Sequence, residues 1–280
     1  MKSFRFLFIA IVFFFAQSAL GQANGAYPWL EHPVTDAIAS RFNPPEGFVR
    51  TAETSGNFGD WLRYLPLISG RPKVLLYDGR EKGNQEAHEA VVDMDVGNRD
   101  LQQCADAVMR LRAEYLRQAG KANRISFRFT NGTPARWTDW ARGMRPEVKG
   151  NKVAWKQKAS PSSSYASFRS YLTKVFQYAG SASLSRELKP VPSTEPVQAG
   201  DVFIQGGFPG HAVIVVDTAE NKSGERLFLL AQSYMPAQQV HILKNPNDAN
   251  LSPWYRYLPG PLRTPEWRFP DNSLKRFGGR

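Results

Sequence analysis

Two short apolar runs joined by a glycine- and proline-rich turn most constrain how this chain folds. Val202–Ile204 and Ala212–Val216 have β-type composition, and the turn between them ends on His211. A connection this short favours neighbouring antiparallel strands. Because the histidine opens a buried strand directly after a turn, its ring can stay accessible and serve as a base for nucleophilic catalysis.

Further apolar runs extend this pattern into a predicted antiparallel meander. Leu227–Ala231 and Val240–Leu243 follow, separated by turn-forming segments. Gln232 is the polar residue that ends the first of these two runs. In an antiparallel pair, the C-terminal end of one strand lies beside the N-terminal end of its neighbour. We therefore expect Gln232 to lie next to His211.

A predicted helix carries the single cysteine, Cys104. Asp100 is a favourable N-cap residue, and Gln103 follows it at the spacing of a capping box. Counted from Asp100, the cysteine lies at the end of the first turn, and the helix ends at Gly120. The core-facing stripe of this helix comprises Cys104, Ala107, Val108, Leu111 and Tyr115.

These residues suit nucleophilic catalysis, because a thiol needs help to ionise. A helix N-terminus stabilises the thiolate of Cys104, and the imidazole of His211 can take its proton. Gln232 would then orient the ring, while backbone N–H groups and the Gln103 side chain would bind an oxyanion. The alternative is structural: a cysteine on an apolar stripe is commonly buried and inert, and the histidine can be a core residue.

Residues 134–160 form a basic, tryptophan-containing segment. It has seven Lys/Arg residues against two acidic ones, together with Trp137, Trp140 and Trp155. Indole rings stack on sugar faces and Lys/Arg side chains pair with anions, so the segment is a candidate ligand surface. A solvated loop held in place by buried tryptophans explains the same composition.

The first 21 residues are predicted to be a signal peptide. Lys2 and Arg5 precede an apolar run, Phe6–Ala16, of 11 residues, which is too short to span a bilayer. No later segment is apolar enough to be a transmembrane span, so we expect the mature chain to be soluble. The signal peptide predicts its export to the periplasm or beyond. With one cysteine, an exported chain cannot form an internal disulfide.

Charge and histidine placement limit the partners and cofactors. Removing Lys2 and Arg5 lowers the formal net charge from +11 to +9, which favours anionic cell-wall or glycan partners. Export argues against nucleic acid as a partner, and a basic surface that only aids solubility is the alternative.

The four histidines are not closely spaced, and His88-Glu89 lacks the second histidine of a zinc-binding helix, so we expect no metal and no other cofactor. The oligomeric state stays open.

The domain organisation follows from composition. Residues 22–57 are rich in Pro, Gly and Asn and are predicted to form an irregular N-terminal strap. Residues 58–280 are predicted to form a single α+β domain, with 134–160 as an insertion. Helices are predicted at Phe58–Leu65 and Tyr165–Tyr178, and extended segments at Lys73–Tyr77, Val91–Val96 and Arg124–Thr130.

The 199–217 stretch resembles the signature of NlpC-type peptidases of the papain-like superfamily. Gly200-Asp201 precedes the first apolar run and Gly210-His211 the second, as in that signature. The resemblance implies a papain-like fold, with a cysteine-bearing helix packed on an antiparallel sheet. It also implies a catalytic triad in the order Cys104, His211, Gln232, within about residues 100–243.

The chain departs from the NlpC pattern in two respects. The usual Asp-Cys-Ser-Gly around the nucleophile is replaced by Gln103-Cys104-Ala105-Asp106. The interval of 107 residues between Cys104 and His211 is also longer than in those enzymes. The insertion at 134–160 accounts for the extra length.

A closer resemblance is to a family of exported bacterial proteins known only as a domain of unknown function. The matching segments are the sequences around Cys104 (Leu-Gln-Gln-Cys-Ala-Asp-Ala-Val), around His211 (Pro-Gly-His-Ala-Val-Ile-Val-Val-Asp) and around Gln232 (Ala-Gln-Ser-Tyr-Met-Pro-Ala-Gln). This resemblance covers most of the chain but implies no activity. The predicted function is a cysteine amidase or endopeptidase of cell-wall peptide or another acyl substrate; a wall- or glycan-binding module and a thiol acyltransferase are the alternatives.

Overall fold

The computed structural model describes residues 27–278, which form helices and an antiparallel sheet. Within this range the helices are short apart from two. They are α1 (Ile38–Arg41), α2 (Phe58–Arg63), α3 (Cys104–Gln118), α4 (Trp137–Ala141), α5 (Tyr165–Tyr178) and α6 (Ser181–Glu187), with 3-10 turns at Gln85–Ala87 and Ala122–Arg124. The predicted signal peptide lies outside the described residues. In the described range, no helix is both long and apolar enough to cross a bilayer.

The strands are numbered here in chain order. They are β1 (Phe48–Arg50), β2 (His88–Val91), β3 (Ser126–Arg128), β4 (Pro134–Arg136), β5 (Met144–Lys149), β6 (Lys152–Gln157), β7 (Lys189–Pro190), β8 (Val202–Gln205), β9 (His211–Asn221), β10 (Arg226–Gln232), β11 (His241–Leu243), β12 (Tyr255–Arg256), β13 (Leu262–Arg263), β14 (Arg268–Phe269) and β15 (Leu274–Arg276).

The central sheet confirms the predicted antiparallel meander. Its order is β2-β11-β10-β9-β8-β15-β7, with β1 also paired to β9 and β12 to β10, and neighbouring strands in it are antiparallel. In β8 and β9, Val202 pairs with Ile214 and Gln205 with His211. The turn between them therefore delivers His211 to the first position of the longest strand.

Strand β9 is buried on both faces, as its unbroken apolar sequence requires. Ala212, Ile214 and Val216 face the larger core, which also contains the buried side chains of α3 and α5. Val213 and Val215 face a second core closed by the C-terminal segment. The sheet is thus a middle layer between the helices and the C-terminal residues.

Helix α3 begins later than predicted. Asp100 was the expected N-cap, but the helix starts at Cys104 and Gln103 is its N-cap. The Gln103 backbone N–H donates to the Asp106 carboxylate at 3.2 Å, which satisfies one of the free N–H groups at the helix start. Asp100 instead accepts from the Gln103 side chain at 2.9 Å and from the Ala237 N–H at 2.7 Å. Cys104 is consequently the first helical residue.

The segment predicted to be an irregular strap contributes secondary structure to the fold. It contains α1, and its β1 adds to the far end of β9, where Phe48 pairs with Asn221 and Arg50 with Ala219. Arg50 and Arg63 both bind the fully buried carboxylate of Asp217 at 2.7 Å. The N-terminal residues are therefore attached to the central strand by hydrogen bonds and ion pairs.

The other predicted elements agree with the structure to different degrees. Tyr165–Tyr178 is a helix, and Arg124–Thr130 contains β3. Val91–Val96 is shifted, because the strand there, β2, spans His88–Val91. Lys73–Tyr77 forms no named strand and makes only isolated bridges, such as Leu75 with Glu81. The bounds of short edge strands are difficult to predict from sequence, because such strands form only where a neighbouring strand of the sheet pairs with them.

Candidate functional site

The site is built around His211, which the structure joins to Gln232. His211 is buried, with 1% of the residue exposed, so the expectation that its ring stays accessible is wrong. Its Nε2 lies 2.9 Å from Gln232 Oε1. The two residues stand at the paired ends of β9 and β10, as antiparallel geometry predicted. Since an amide oxygen only accepts hydrogen bonds, Nε2 carries the proton and Nδ1 carries the lone pair. No residue in the described part of the chain hydrogen bonds to Nδ1.

Aromatic rings surround the His211 imidazole. Its centroid is 4.6 Å from that of Tyr234, 5.2 Å from Trp267 and 5.7 Å from Phe269. This burial lowers the pKa of His211 to about 4, and the hydrogen bond that Nε2–H donates to Gln232 opposes the fall only in part. The imidazole is therefore neutral at pH 7, which is the form that a general base requires.

Cys104 reaches the same point from the helix-bearing face of the sheet. Its thiol is half-buried, and the backbone N–H of Ala212, the residue after His211, is near enough to favour the thiolate and lower the pKa. Burial raises the pKa of the thiol to about 11, and the charge of Asp106 adds to the rise. The N–H groups of Ala212, Ala105 and Cys104 itself act in the opposite direction. The resting thiol is therefore protonated at neutral pH.

The thiol and the imidazole are neighbours without a direct bond. Among residues 27–278, no hydrogen bond joins Cys104 to His211. Tyr234 is close to both: its ring lies tilted against the His211 ring, and the pKa of its phenol is raised by burial first, then by Glu266 and by Cys104. The structure thus gives two neutral groups at one strand end, rather than a thiolate–imidazolium pair.

Gln232 belongs to a buried polar network that the sequence analysis did not foresee. Its Nε2 donates to Glu266 Oε2 at 2.8 Å and to His241 Nε2 at 3.2 Å. Glu266 in turn accepts from Lys82 Nζ at 2.5 Å. Glu266 lies in the C-terminal segment between β13 and β14, and Lys82 follows a surface turn. No periodicity or motif in the sequence marks either residue.

The residues predicted to bind substrate have other roles in the structure. The Gln103 amide donates to Asp100, at the helix N-cap. Trp137 and Trp140 are 4% and 5% exposed and pack on aromatic rings of α5, so they have little surface to offer a ligand. Trp155, on the β5–β6 hairpin, is half-buried and stacks near Phe129. The three tryptophans therefore attach the insertion to the core, which agrees with the alternative interpretation of this segment as a loop held in place by buried tryptophans.

Two cavities lie apart from the cysteine and histidine. One, of about 570 Å³, is lined partly by Phe58, Arg112 and Lys121, and the other, of about 560 Å³, by Phe203, Tyr257 and Asn272. Neither is lined by Cys104, His211 or Gln232. In the described part of the chain, no group of three or more His, Cys, Asp or Glu residues is arranged to hold a metal ion.

Gly210 is needed for the turn that places His211. A Cβ atom at this position would lie 2.3 Å from Ser181 Oγ and 2.4 Å from the Gly207 carbonyl oxygen. We expect Gly210→Ala to lower the free energy of unfolding, measured in urea, by about 1–3 kcal/mol, because the turn must move to accept the methyl group. In the matched variant Gly83→Ala the new methyl group meets no atom within 4 Å. Equal losses in the two variants would contradict the close approach at Gly210.

The comparisons with known proteins identify a family but no activity. The chain belongs to the DUF4846 family, described as "Domain of unknown function (4846)", whose profile matches residues 38–276. The predicted membership of a family of unknown function is thereby confirmed. Neither a curated protein nor a solved structure matches the chain at a significant level.

Proposed function

We propose that this member of the DUF4846 family is an exported cysteine hydrolase with a papain-like arrangement of its site. The observation that carries the proposal is the buried hydrogen bond between His211 Nε2 and Gln232 Oε1, 2.9 Å long, near the thiol of the first residue of α3. The antiparallel sheet and the cysteine-bearing helix packed on it agree with that arrangement.

The proposed reaction is acyl transfer to water through a thioester. His211 Nδ1 takes the thiol proton as Cys104 Sγ attacks the carbonyl carbon of an amide. The imidazolium then gives this proton to the leaving amine as the C–N bond breaks. Water, deprotonated by His211, attacks the thioester, and the thiol is regenerated with release of the carboxylic acid. Gln232 accepts from Nε2–H throughout and keeps the ring in place.

The neutral resting pair determines how the thiol is activated. The pKa of Cys104 is raised to about 11 and that of His211 is lowered to about 4. The thiol proton therefore moves to His211 during the nucleophilic attack and not before it. The attack requires the Cys104 sulfur to come within hydrogen-bond reach of Nδ1. The backbone N–H groups at the start of α3 would then bind the oxyanion.

The proposed substrates are peptide amides of the cell wall. Processing of residues 1–21 and export would bring the protein to the wall, and the formal charge of +9 that remains after Lys2 and Arg5 are removed favours an anionic polymer over a neutral one. Nucleic acid is not a proposed partner, because an exported chain does not meet it.

Digestion of purified sacculi tests this function. Wild type is expected to release soluble peptide fragments, and Cys104→Ala to release none above background, because no other thiol exists in the chain. Glu81→Gln is the matched control, since that carboxylate is exposed and, within residues 27–278, pairs with Lys73 alone. Equal product from wild type and Cys104→Ala would sink the mechanism.

A non-catalytic binding module is the second candidate function. The observation that favours it is the protonated thiol without a hydrogen bond to His211 among the described residues. On this alternative, wild type and Cys104→Ala co-sediment with sacculi equally and neither releases product.

A further inference from the structure

Gln232 can orient His211 only if its own amide is oriented. A primary amide has a donor end and an acceptor end of nearly equal size, and either end can face a histidine. With the oxygen toward His211, Nε2 is protonated and Nδ1 is free to accept a proton. With the NH₂ group toward His211, Nε2 must accept its hydrogen bond, so the ring proton moves to Nδ1. Nδ1 is then no longer able to act as a base.

We propose that Glu266 is a positioning residue that fixes the Gln232 amide and, through it, the proton of His211. Glu266 Oε2 accepts from Gln232 Nε2 at 2.8 Å, and a carboxylate cannot donate in return. The NH₂ end of Gln232 is thereby held on the Glu266 side, and Oε1 is left for His211. The use of the freed Nδ1 rests on the proposed function; the orientation of the amide does not.

The surroundings of Glu266 keep its carboxylate in place. Its Oε1 accepts from Lys82 Nζ at 2.5 Å and from Asn84 Nδ2 at 3.2 Å. Lys82 is 6% exposed and also donates to the Asn84 carbonyl at 2.7 Å. A buried ion pair of this kind contributes little to stability over an apolar pair of the same size, so its value lies in the arrangement it specifies.

His241 reinforces the same orientation from the neighbouring strand. Its Nδ1 lies 2.9 Å from the Gln239 carbonyl oxygen and must donate to it, which leaves Nε2 as an acceptor for the Gln232 NH₂ group. The His88 ring, 6.0 Å from His241, donates from Nε2 to the Pro72 carbonyl. The acceptors nearest the NH₂ end are therefore Glu266 and His241.

Glu266→Gln is the decisive variant, because it keeps the size of the side chain and adds a donor. Lys82 is expected to retain the carbonyl end of Gln at position 266, so its NH₂ group faces Gln232. Gln232 then turns its oxygen away from His211, and His211 changes from the Nε2–H to the Nδ1–H tautomer. Two-bond ¹H–¹⁵N correlations of histidine-labelled protein distinguish the tautomers, and His211→Asn assigns the signal among four histidines.

A compensating double variant and a distant control complete the test. In Gln232→Glu with Glu266→Gln, the carboxylate and amide exchange places, and His211 is expected to return to Nε2–H. Glu81→Gln, in an exposed pair with Lys73, is expected to leave the tautomer unchanged. If Glu266 has only a structural role, the folded Glu266→Gln variant keeps the wild-type tautomer of His211, and that result overturns the proposal. An Nδ1–H tautomer of His211 in the wild type also overturns it, whether or not the variants fold.

Failure of the positioning role is distinguishable from failure of the hydrolase. If wild type releases nothing from sacculi, the proposed function fails, while the tautomer measurements still decide the role of Glu266. If wild type is active, Glu266→Gln is expected to lower kcat about ten- to a hundredfold, as loss of an orienting partner typically does, with KM little changed. The double variant is expected to recover most of that loss.

Discussion

Asp217→Asn is expected to lower the free energy of unfolding by about 3–5 kcal/mol, the cost of leaving a buried ion pair without its partner. The Asp217 side chain is fully buried, and its two oxygens accept from Arg50 and Arg63, each at 2.7 Å. It also accepts from the Thr218 backbone N–H at 2.9 Å. Asparagine is neutral, so both guanidinium groups lose their counter-charge, and its one side-chain oxygen can still accept from only one of them.

Denaturant unfolding and the melting temperature measure this loss. For a chain of this size the midpoint is expected to fall by about 10 °C. Glu147→Gln is the control: it removes ion pairs of similar chemistry with Lys156 and Lys158, but on the exposed β5–β6 hairpin, so little change is expected. A similar, small effect in both variants would show that the ion pairs of Asp217 do not anchor the N-terminal segment.

Cys104 in the folded protein is expected to react with iodoacetamide at pH 8 more than tenfold more slowly than in the urea-unfolded chain. The unfolded thiol has a pKa of about 8.5, whereas burial and Asp106 raise the pKa of the folded thiol to about 11. Because only the thiolate reacts, the folded rate should rise with pH up to about 10 without reaching a plateau. The chain has one cysteine, so the mass of the intact protein reports the reaction directly.

Two variants test the cause of this slow reaction. His211→Asn is expected to leave the pH profile nearly unchanged, since the pKa of His211 is lowered to about 4 and the ring is uncharged across the range measured. Asp106→Asn removes a carboxylate that raises the thiol pKa, so it is expected to shift the profile to lower pH. A plateau between pH 6 and pH 8 that disappears in His211→Asn would instead demonstrate a preformed thiolate–imidazolium pair.

Local patterns predicted those parts of the fold whose partners are near in sequence. The apolar runs that became β8, β9, β10 and β11 are joined by short connections, so their antiparallel pairing follows from chain geometry. The helix at Tyr165–Tyr178 follows from its repeating buried stripe. The start of α3 was misplaced because Asp100 and Gln103 both have capping chemistry, and only packing decides which residue caps.

That His211 opens a central strand and that Gln232 ends the neighbouring one can be predicted from local sequence, because strand composition and antiparallel pairing across short connections are local properties. The surroundings of that pair depend on contacts between distant parts of the chain. Glu266 reaches Gln232 from 34 residues away, and Lys82 reaches Glu266 across 184 residues. Contacts at such separations leave no periodic trace in the sequence, since they depend on how the layers close. The same packing desolvates Cys104 and His211, and so decides that both are neutral at rest.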